Sequence, residues 1–227
     1  MSLRLVIFDC DGTLVDSQYG IVHAMQTAFL SFGLIAPAPE AVKRVVGLSL
    51  ETAIQTLAPG HGISDIRQLA ALYREAAIGD GRPAHTREPM FEGIKAAILS
   101  LEQAGYLLGV ATGKGRRGLD AMIARHGLAN RFVTLQTADS VQAGKPAPDM
   151  CLQACAEAGV EPRDAVVIGD TSFDMQMARR AGSAAIGVAW GYHPPAELVR
   201  AGAAEVLDHA GQIPDAVARQ FGTTEPA

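Results

Sequence analysis

The stretch LVIFDCDGTLVDS, residues 5–17, sets the frame for the whole chain. An apolar run over Leu3–Phe8 stops at two acids, Asp9 and Asp11, and glycine and threonine follow. Continuous apolarity is typical of a strand covered on both faces, as in a parallel sheet. Side chains two apart on a strand point to the same side, so both carboxylates should meet where the strand ends. Two buried carboxylates so close together need a cation or a basic partner. Alternatively, the segment is only a turn, since Asp-Gly is a common turn sequence.

Four more short apolar runs follow the first, and helical patterns lie between them. The runs are Tyr106–Ala111, Phe132–Leu135, Ala165–Ile168 and Ala184–Val188. The helical patterns are Gly93–Ala104, Arg116–His126, Asp149–Ala158 and Asp174–Ala181. This alternation predicts an α/β fold with a Rossmann-like parallel sheet wound by right-handed crossovers.

The segment after the first strand carries helical patterns only. Between about residues 17 and 79 no strand pattern occurs, and Ile21, Met25 and Phe29 share one helical face. The sequence GDGRPAHTREP, Gly79–Pro89, is typical of a hinge or linker back to the sheet. We therefore predict an all-helical cap domain, residues 17–85, inserted into a catalytic core made of residues 1–16 and 86–227.

Composition narrows the class of protein. Of 227 residues, 48% are hydrophobic, and 19 bases stand against 24 acids without a basic tract. This balance argues against nucleic acid or an anionic membrane as the main partner. The chain shows neither a signal-peptide pattern nor an apolar run long enough to span a bilayer, so we expect a cytoplasmic protein. The sequence predicts no oligomeric state.

Cysteine usage points to packing rather than to covalent or metal chemistry. The chain has three cysteines, Cys10, Cys151 and Cys155, which do not form a disulfide framework. Cys151 and Cys155 are four apart on a predicted helix, without the histidine that would complete a zinc set. By strand alternation, Cys10 should point away from its two acidic neighbours.

A second acidic pair follows the Ala165–Ile168 run. In GDTSFD, Asp170 lies at the strand end and Asp174 lies in the first turn of the next helix. Helix capping is an alternative role, because Thr171 and Asp174 have capping-box spacing. Capping does not explain a second acid beside Asp9 and Asp11, since the carboxyl ends of parallel strands share one crevice. Four carboxylates there predict a Mg²⁺ site.

The Tyr106–Ala111 run leads into TGKGRRG, which offers groups for an anion. Thr112 supplies a hydroxyl and Gly113 an accessible N–H just before a helix start. Gly113, Gly115 and Gly118 also match the dinucleotide-binding glycine pattern. That pattern normally opens a domain, whereas this one follows the second strand, so a single phosphate is favoured.

A lysine in AGKPAPD supplies positive charge. Pro146 keeps Lys145 out of helical geometry, in a loop before the helix that starts at Asp149. A lone Lys-Pro turn is usually solvated surface. Beside four acids, however, Lys145 would provide the cation that a phosphate needs.

These four stretches, in this order, resemble the haloacid dehalogenase superfamily. The matching residues are D-x-D-G-T at Asp9–Thr13, then Thr112, Lys145 and G-D-x-x-x-D at Gly169–Asp174. The helical insert, VGLSLETAI within it and GVAWG near the end resemble the phosphoglycolate phosphatase-like branch with its helical cap. The chain departs from its relatives at Gly113, where they commonly carry asparagine before the lysine.

The resemblance implies a Mg²⁺-dependent phosphatase. In such an enzyme Asp9 attacks phosphorus to form an aspartyl phosphate, and Asp11 protonates the leaving alcohol and then activates water. The metal ligands would be Asp9, the Asp11 carbonyl, Asp170 and, in support, Asp174. The partner would be a small phosphorylated metabolite such as phosphoglycolate.

The resemblance also implies a phosphate site and suggests substrate contacts. The phosphate-binding residues would be Gly12, Thr13, Thr112, Gly113 and Lys145, of which Thr112 and Lys145 also count as catalytic. Candidates for binding a second anionic group are Arg44, Lys114 and Arg116, although each is equally compatible with a surface charge.

Other activities of the same superfamily remain open. A dehalogenase works without metal, which the additional acids disfavour. A phosphonate hydrolase needs a cap lysine, and the only one in the insert, Lys43, has the pattern of a solvated helix residue. A phosphosugar mutase shares the core motifs, and a non-catalytic phosphate-binding regulatory module would share the fold.

Overall fold

A six-stranded sheet in which all paired strands are parallel forms the centre of the fold in a computed structural model, which describes residues 3–78 and 88–222. The strands are β1 (Leu5–Phe8), β2 (Leu107–Thr112), β3 (Thr134–Thr137), β4 (Ala165–Gly169), β5 (Ala184–Val188) and β6 (Glu205–Leu207). Their order is β3-β2-β1-β4-β5-β6. The predicted α/β fold is confirmed, and β1 lies between β2 and β4, so the three strands that precede the motif residues are neighbours.

Helices cover both faces of this sheet. They are α5 (Ile94–Gln103), α6 (Arg116–His126), α7 (Asp149–Ala158), α8 (Ser172–Ala181), α9 (Pro195–Ala201) and α10 (Ile213–Gln220). Val6 and Phe8 pack into one apolar cluster, and Leu5 and Ile7 pack into the cluster on the other face. All four side chains are fully buried, which explains why β1 is apolar at every position.

Four helices follow β1 and carry a third apolar cluster. They are α1 (Gln18–Phe32), α2 (Pro39–Lys43), α3 (Leu50–Leu57) and α4 (Ile63–Ile78), with no strand between residues 17 and 78. Met25 and Phe29 of α1 pack against Ile54 and Leu69 in this cluster. The helical character of the cap segment is thus observed. Its boundaries stay a prediction, because most of the Gly79–Pro89 linker lies outside the described residues.

The structure differs from the sequence prediction at three elements. Strand β6 was not predicted, because its three residues are too few to show a pattern. Strand β3 lies two residues later than the apolar run at Phe132–Leu135, and its inward residues are threonines and a glutamine. Helix α8 begins two residues before Asp174, since Thr171 caps it.

All three cysteines are buried and free, as their predicted packing role requires. Among the helices of the described residues, none has the length and apolar character needed to cross a membrane.

Candidate active site

Asp9 is fixed at the junction of the two central strands. It follows β1, and its N–H donates to the Ile168 carbonyl of β4 over 2.9 Å. The chain then turns tightly, because the N–H of Leu14 donates to the Cys10 carbonyl over 2.9 Å. This turn leaves Asp9 and Asp11 at the carboxyl edge of the sheet, where the two residues are 1% and 7% exposed.

Gly12 and Thr13 hold Asp170 in place. Gly12 has a φ of 91°, and a Cβ there would lie 2.3 Å from Asp170 Oδ2, so only glycine fits. The Thr13 hydroxyl donates to Asp170 Oδ1 over 2.8 Å, and the Gly12 N–H donates to the Val15 carbonyl. The donors of both residues therefore have protein partners. Phosphate binding by Gly12 and Thr13 stays a prediction, and these contacts favour a positioning role.

Lys145 bridges two buried carboxylates. Its Nζ lies 2.6 Å from Asp9 Oδ1 and 2.5 Å from Asp174 Oδ1, and all three side chains are buried. Burial alone would lower the pKa of Lys145, but the carboxylates of Asp174 and Asp9 outweigh it and the pKa is raised. The predicted loop lysine is therefore a fixed positive charge inside the site.

Burial raises the pKa of the site carboxylates, whereas the positive charge of Lys145 lowers the pKa of Asp9. Desolvation raises the pKa of Asp9 from 3.8 to about 7, although the Lys145 charge opposes it and Asp174 adds to it. Desolvation, followed by the charges of Asp9 and Asp174, also raises the pKa of Asp170 well above its usual value. The Lys145 charge therefore offsets the effect of burial on the pKa of Asp9 only in part.

The same three acids fit a divalent cation. Oxygen atoms of Asp9, Asp170 and Asp174 all lie within 4.8 Å of one another. Asp9 Oδ2 is buried and makes no hydrogen bond to any described residue. Hard oxygen donors with an unpaired buried anion are what Mg²⁺ requires. The side chain of Asp11 is not part of this cluster, in keeping with the predicted role of its main-chain carbonyl.

Asp174 and Asp170 each also have a structural partner. Thr171 and Asp174 form a capping box, in which Asp174 Oδ2 accepts from the Thr171 N–H over 3.0 Å. Asp170 Oδ2 accepts from the Tyr192 N–H over 2.8 Å. The alternative capping role is thus real, and it coexists with the acidic cluster because the second oxygen of Asp174 faces Lys145.

Asp11 lies at one end of a chain of alternating charges. Lys114 Nζ lies 3.0 Å from Asp11 Oδ1 and 2.7 Å from Glu88 Oε1, and Arg125 lies 3.2 Å from Glu88 Oε2. Burial would lower the pKa of Lys114, but Asp11 and Glu88 outweigh it and the net shift is upward. Lys114 therefore faces the site, but its ammonium group is paired with Asp11 and Glu88.

The loop after β2 meets the cap segment. The Thr112 hydroxyl accepts from the Lys114 N–H over 3.1 Å, and Thr112 is 1% exposed. A Cβ on Gly113 would lie 2.4 Å from the Leu48 carbonyl oxygen and 2.7 Å from that of Gly47. The cap backbone therefore packs directly on Gly113, which accounts for glycine at this position.

A cavity of about 730 Å³ opens beside these residues. Its core side includes Asp9, Asp11, Thr112 and Gly113, and cap helices supply much of the remaining wall. The buried Asp9 thus lies at the wall of a cavity between the cap helices and the sheet edge.

Two of the candidate substrate residues do not line this cavity. Arg44 pairs with Glu197 over 2.9 Å, and Arg116 pairs with Asp120 over 2.9 Å, so each charge already has a partner. A substrate role for Arg44 and Arg116 stays a prediction, and these contacts do not favour it. Arg117, the next residue in α6, lines the cavity instead.

Sequence reasoning missed Glu88, Tyr73 and Tyr192. Glu88 falls at the end of the predicted linker, and Tyr73 lies among the helical patterns of the insert, so neither was singled out. Burial raises the pKa of Tyr73 to about 12, while Lys114 opposes the shift, so the phenol lies in the electrostatic range of the site. Tyr192 follows GVAWG, a stretch that was noted only as part of the resemblance.

Comparison with known proteins adds independent findings. The model of a family described as haloacid dehalogenase-like hydrolase matches residues 6–188. Among solved structures, a hydrolase from Pseudomonas syringae superposes with a TM-score of 0.85 at 26% identity, over 95% of this chain and 98% of its own.

Several curated proteins are similar over nearly their full length. A Dickeya dadantii protein named probable phosphatase IndB is 35% identical over 92% of this chain and 91% of its own. An N-acetylmuramic acid 6-phosphate phosphatase of Pseudomonas aeruginosa is 29% identical, with 96% of each chain covered. A phosphoglycolate phosphatase of Cupriavidus necator is 32% identical over 92% of this chain and 90% of its own.

Proposed function

The chain belongs to the haloacid dehalogenase-like hydrolases, and we propose that it is a Mg²⁺-dependent phosphatase that hydrolyses small phosphate monoesters through an aspartyl phosphate. Membership of the family confirms the resemblance that the motifs indicated. The observation that carries the proposal is the state of Asp9: one oxygen contacts Lys145 at 2.6 Å, while the other is buried without a hydrogen-bond partner beside a cavity. One oxygen of this carboxylate would attack phosphorus, and the other would bind the metal.

The covalent steps use Asp9 and Asp11. The Asp9 carboxylate oxygen bonds to phosphorus while the bond from phosphorus to the ester oxygen breaks. Asp11, which also lines the cavity, donates a proton to that leaving oxygen. Asp11 then accepts a proton from the water that attacks phosphorus, and the Asp9 carboxylate and inorganic phosphate are released.

The phosphoryl oxygens would be held by Thr112, Gly113 and Lys145. Thr112 accepts from the Lys114 N–H, so its own hydroxyl proton remains to be donated. The Gly113 N–H lies in the same loop, and Lys145 contributes a charge that does not titrate near neutral pH. These donors are aimed where negative charge accumulates, which is where they accelerate phosphoryl transfer.

The metal would be held by Asp9, Asp170 and Asp174, together with the Asp11 carbonyl. When bound, Mg²⁺ would offset the repulsion between the acids and the incoming phosphate. Burial and the neighbouring carboxylates raise the pKa of Asp9 and of Asp170, and a bound cation would favour their ionised forms, which supports this assignment.

The substrate is proposed to be a small phosphorylated metabolite. The relatives named above include phosphatases named for phosphoglycolate and for N-acetylmuramic acid 6-phosphate. Both names describe phosphate monoesters, which supports that bond type for this chain. The predicted absence of nucleic-acid and membrane partners and the cytoplasmic location stay predictions.

Phosphate release from purified protein tests the proposal. We expect hydrolysis of p-nitrophenyl phosphate and phosphoglycolate, loss of turnover with excess chelator, and recovery with Mg²⁺. The matched control is Asp9→Asn. Absence of phosphate release from any monoester would overturn the proposal, and isomerisation of a sugar phosphate without release would indicate a mutase. Phosphate binding without turnover would instead indicate a regulatory module.

A further inference from the structure

The cavity is larger than the smallest proposed substrate needs. If each of the about nine non-hydrogen atoms of phosphoglycolate takes the room of a liquid water, about 30 Å³, the molecule fills about 270 Å³. The cavity measures about 730 Å³. More than half of it would remain unfilled by phosphoglycolate.

The unfilled part has an apolar wall. Six aliphatic or thioether side chains from the cap helices and their connections line the cavity; Ile21 and Leu50 are partly exposed, whereas Met25, Val42, Val45 and Val46 are buried. The polar groups that suit a phosphate lie on the core side, at Asp9, Thr112 and Gly113. A substrate with its phosphoryl group at Asp9 therefore extends its alcohol portion along the apolar wall.

The charged groups of the wall are mostly paired with one another. Arg74 lies 2.7 Å from Glu51, and Arg125 lies 3.2 Å from Glu88. Arg117, which is exposed, forms no ion pair with the residues that the structure describes. Charges that are already compensated add little to the binding of a ligand, so the apolar surface is the main contact that the cap offers.

We propose that the physiological leaving group is an alcohol of at least ring size with an apolar face, recognised chiefly by the aliphatic wall of the cap. This inference rests on the proposed phosphatase activity, and it names the class of monoester that the site takes. Covering the wall removes apolar surface from water, and that gain is available only to a large leaving group.

A series of phosphate esters of primary alcohols tests the proposal on the wild-type protein. Propyl, butyl, hexyl and 2-cyclohexylethyl phosphate have similar leaving groups and differ in apolar size. We expect kcat/KM to rise by up to about four-fold for each added methylene, and by at least ten-fold across the series. Values that are flat or falling with size would overturn the inference.

A filling variant provides the structural test. Ala77 lies on α4, is exposed and lines the cavity, so Ala77→Trp occupies the leaving-group space without disturbing the core. We expect the ratio of kcat/KM for the cyclohexylethyl and propyl esters to fall at least ten-fold. The matched control is Ala71→Trp, since Ala71 is also exposed on α4 but lies outside the cavity wall, and it should retain the wild-type ratio.

The outcomes separate the two proposals. An unchanged ratio in Ala77→Trp would overturn the inference while leaving the phosphatase proposal intact. Failure of the wild-type protein to hydrolyse even p-nitrophenyl phosphate would overturn the phosphatase proposal itself, and the inference with it. If Ala77→Trp does not fold, as judged by circular dichroism, the wild-type ester series decides.

Discussion

Lys145 Nζ lies 2.6 Å from Asp9 Oδ1, and both side chains are buried. The contact fixes one oxygen of Asp9 and leaves the other without a hydrogen-bond partner. Because the same ammonium also contacts Asp174, the lysine ties the acid after β1 to the acid on α8. A single cation thus orients the proposed nucleophile and supplies charge where phosphoryl oxygens would lie.

Replacement of Asp9 by asparagine should abolish turnover. Asp9→Asn keeps the size of the side chain but removes the anionic oxygen that attacks phosphorus. We expect kcat to fall by about a thousand-fold or more, with an unchanged circular dichroism spectrum. Wild-type phosphatase activity in a folded, sequence-verified Asp9→Asn protein would refute the assignment.

Stabilisation by Mg²⁺ should depend on pH. The pKa of Asp9 is raised to about 7 in the fold, so its contribution to stability is present below about pH 4 and is lost as the pH rises through 7. A cation that binds the ionised cluster reverses that loss.

Thermal unfolding with Mg²⁺ and with chelator measures this effect. We expect the gain in Tm from Mg²⁺ to be at least about 2–4 °C larger at pH 7.5 than at pH 5, the shift that about 1 kcal/mol produces in a domain of this size. Asp9→Asn should reduce the difference. Equal gains at both pH values would contradict the acidic cluster as a metal site.

The sequence predicted the central fold because its signals are local. Runs such as Ala165–Ile168 are apolar at every position, and only a strand buried on both faces needs this. Asp9, Asp170 and Lys145 were predicted to converge because the carboxyl ends of neighbouring parallel strands share one edge. Their contacts in the structure agree with that expectation, although their catalytic roles stay predictions.

The remaining features depend on how distant segments pack. Glu88 is recognisable only once α6 brings Arg125 to it and the preceding loop brings Lys114 to it, and no local pattern marks it. The pairing of Arg44 with Glu197, which is far away in the sequence, likewise has no local signal. The cavity volume likewise follows from the placement of the cap helices against the sheet, which no local pattern determines.

Replacement of Gly113 by asparagine, which relatives commonly carry there, should lower both stability and activity. A Cβ there would lie 2.4 Å from the Leu48 carbonyl oxygen, and this neighbour is backbone. Gly113→Asn must therefore displace the cap segment, and we expect a loss of about 1–3 kcal/mol in unfolding free energy together with reduced kcat/KM. Gly62→Ala is the control, because a Cβ at Gly62 meets no atom within 4 Å. Wild-type stability and activity in Gly113→Asn would contradict this prediction, because they would mean that the cap backbone at Leu48 moves at little cost in free energy.

Arg44 joins the cap segment to the core through Glu197 of α9. Its guanidinium makes two contacts with Glu197 of α9, at 3.0 and 2.9 Å. The Ser172 N–H donates to His193 Nδ1, so His193 Nε2 carries the proton and donates to the Arg44 carbonyl. Arg44 is thus held from both its side chain and its main chain.

Removal of the Arg44 side chain should therefore affect all substrates alike. We expect Arg44→Ala to lower kcat/KM for phosphoglycolate and for p-nitrophenyl phosphate by the same factor, at most about five-fold, since the pair is half exposed. Glu197→Ala should reproduce this effect, and the double variant should be no worse than either single one, because both remove one contact. Arg116→Ala, which breaks the separate exposed pair with Asp120, serves as the control. A loss confined to phosphoglycolate in Arg44→Ala would mean that the guanidinium leaves Glu197 to bind the substrate's carboxylate.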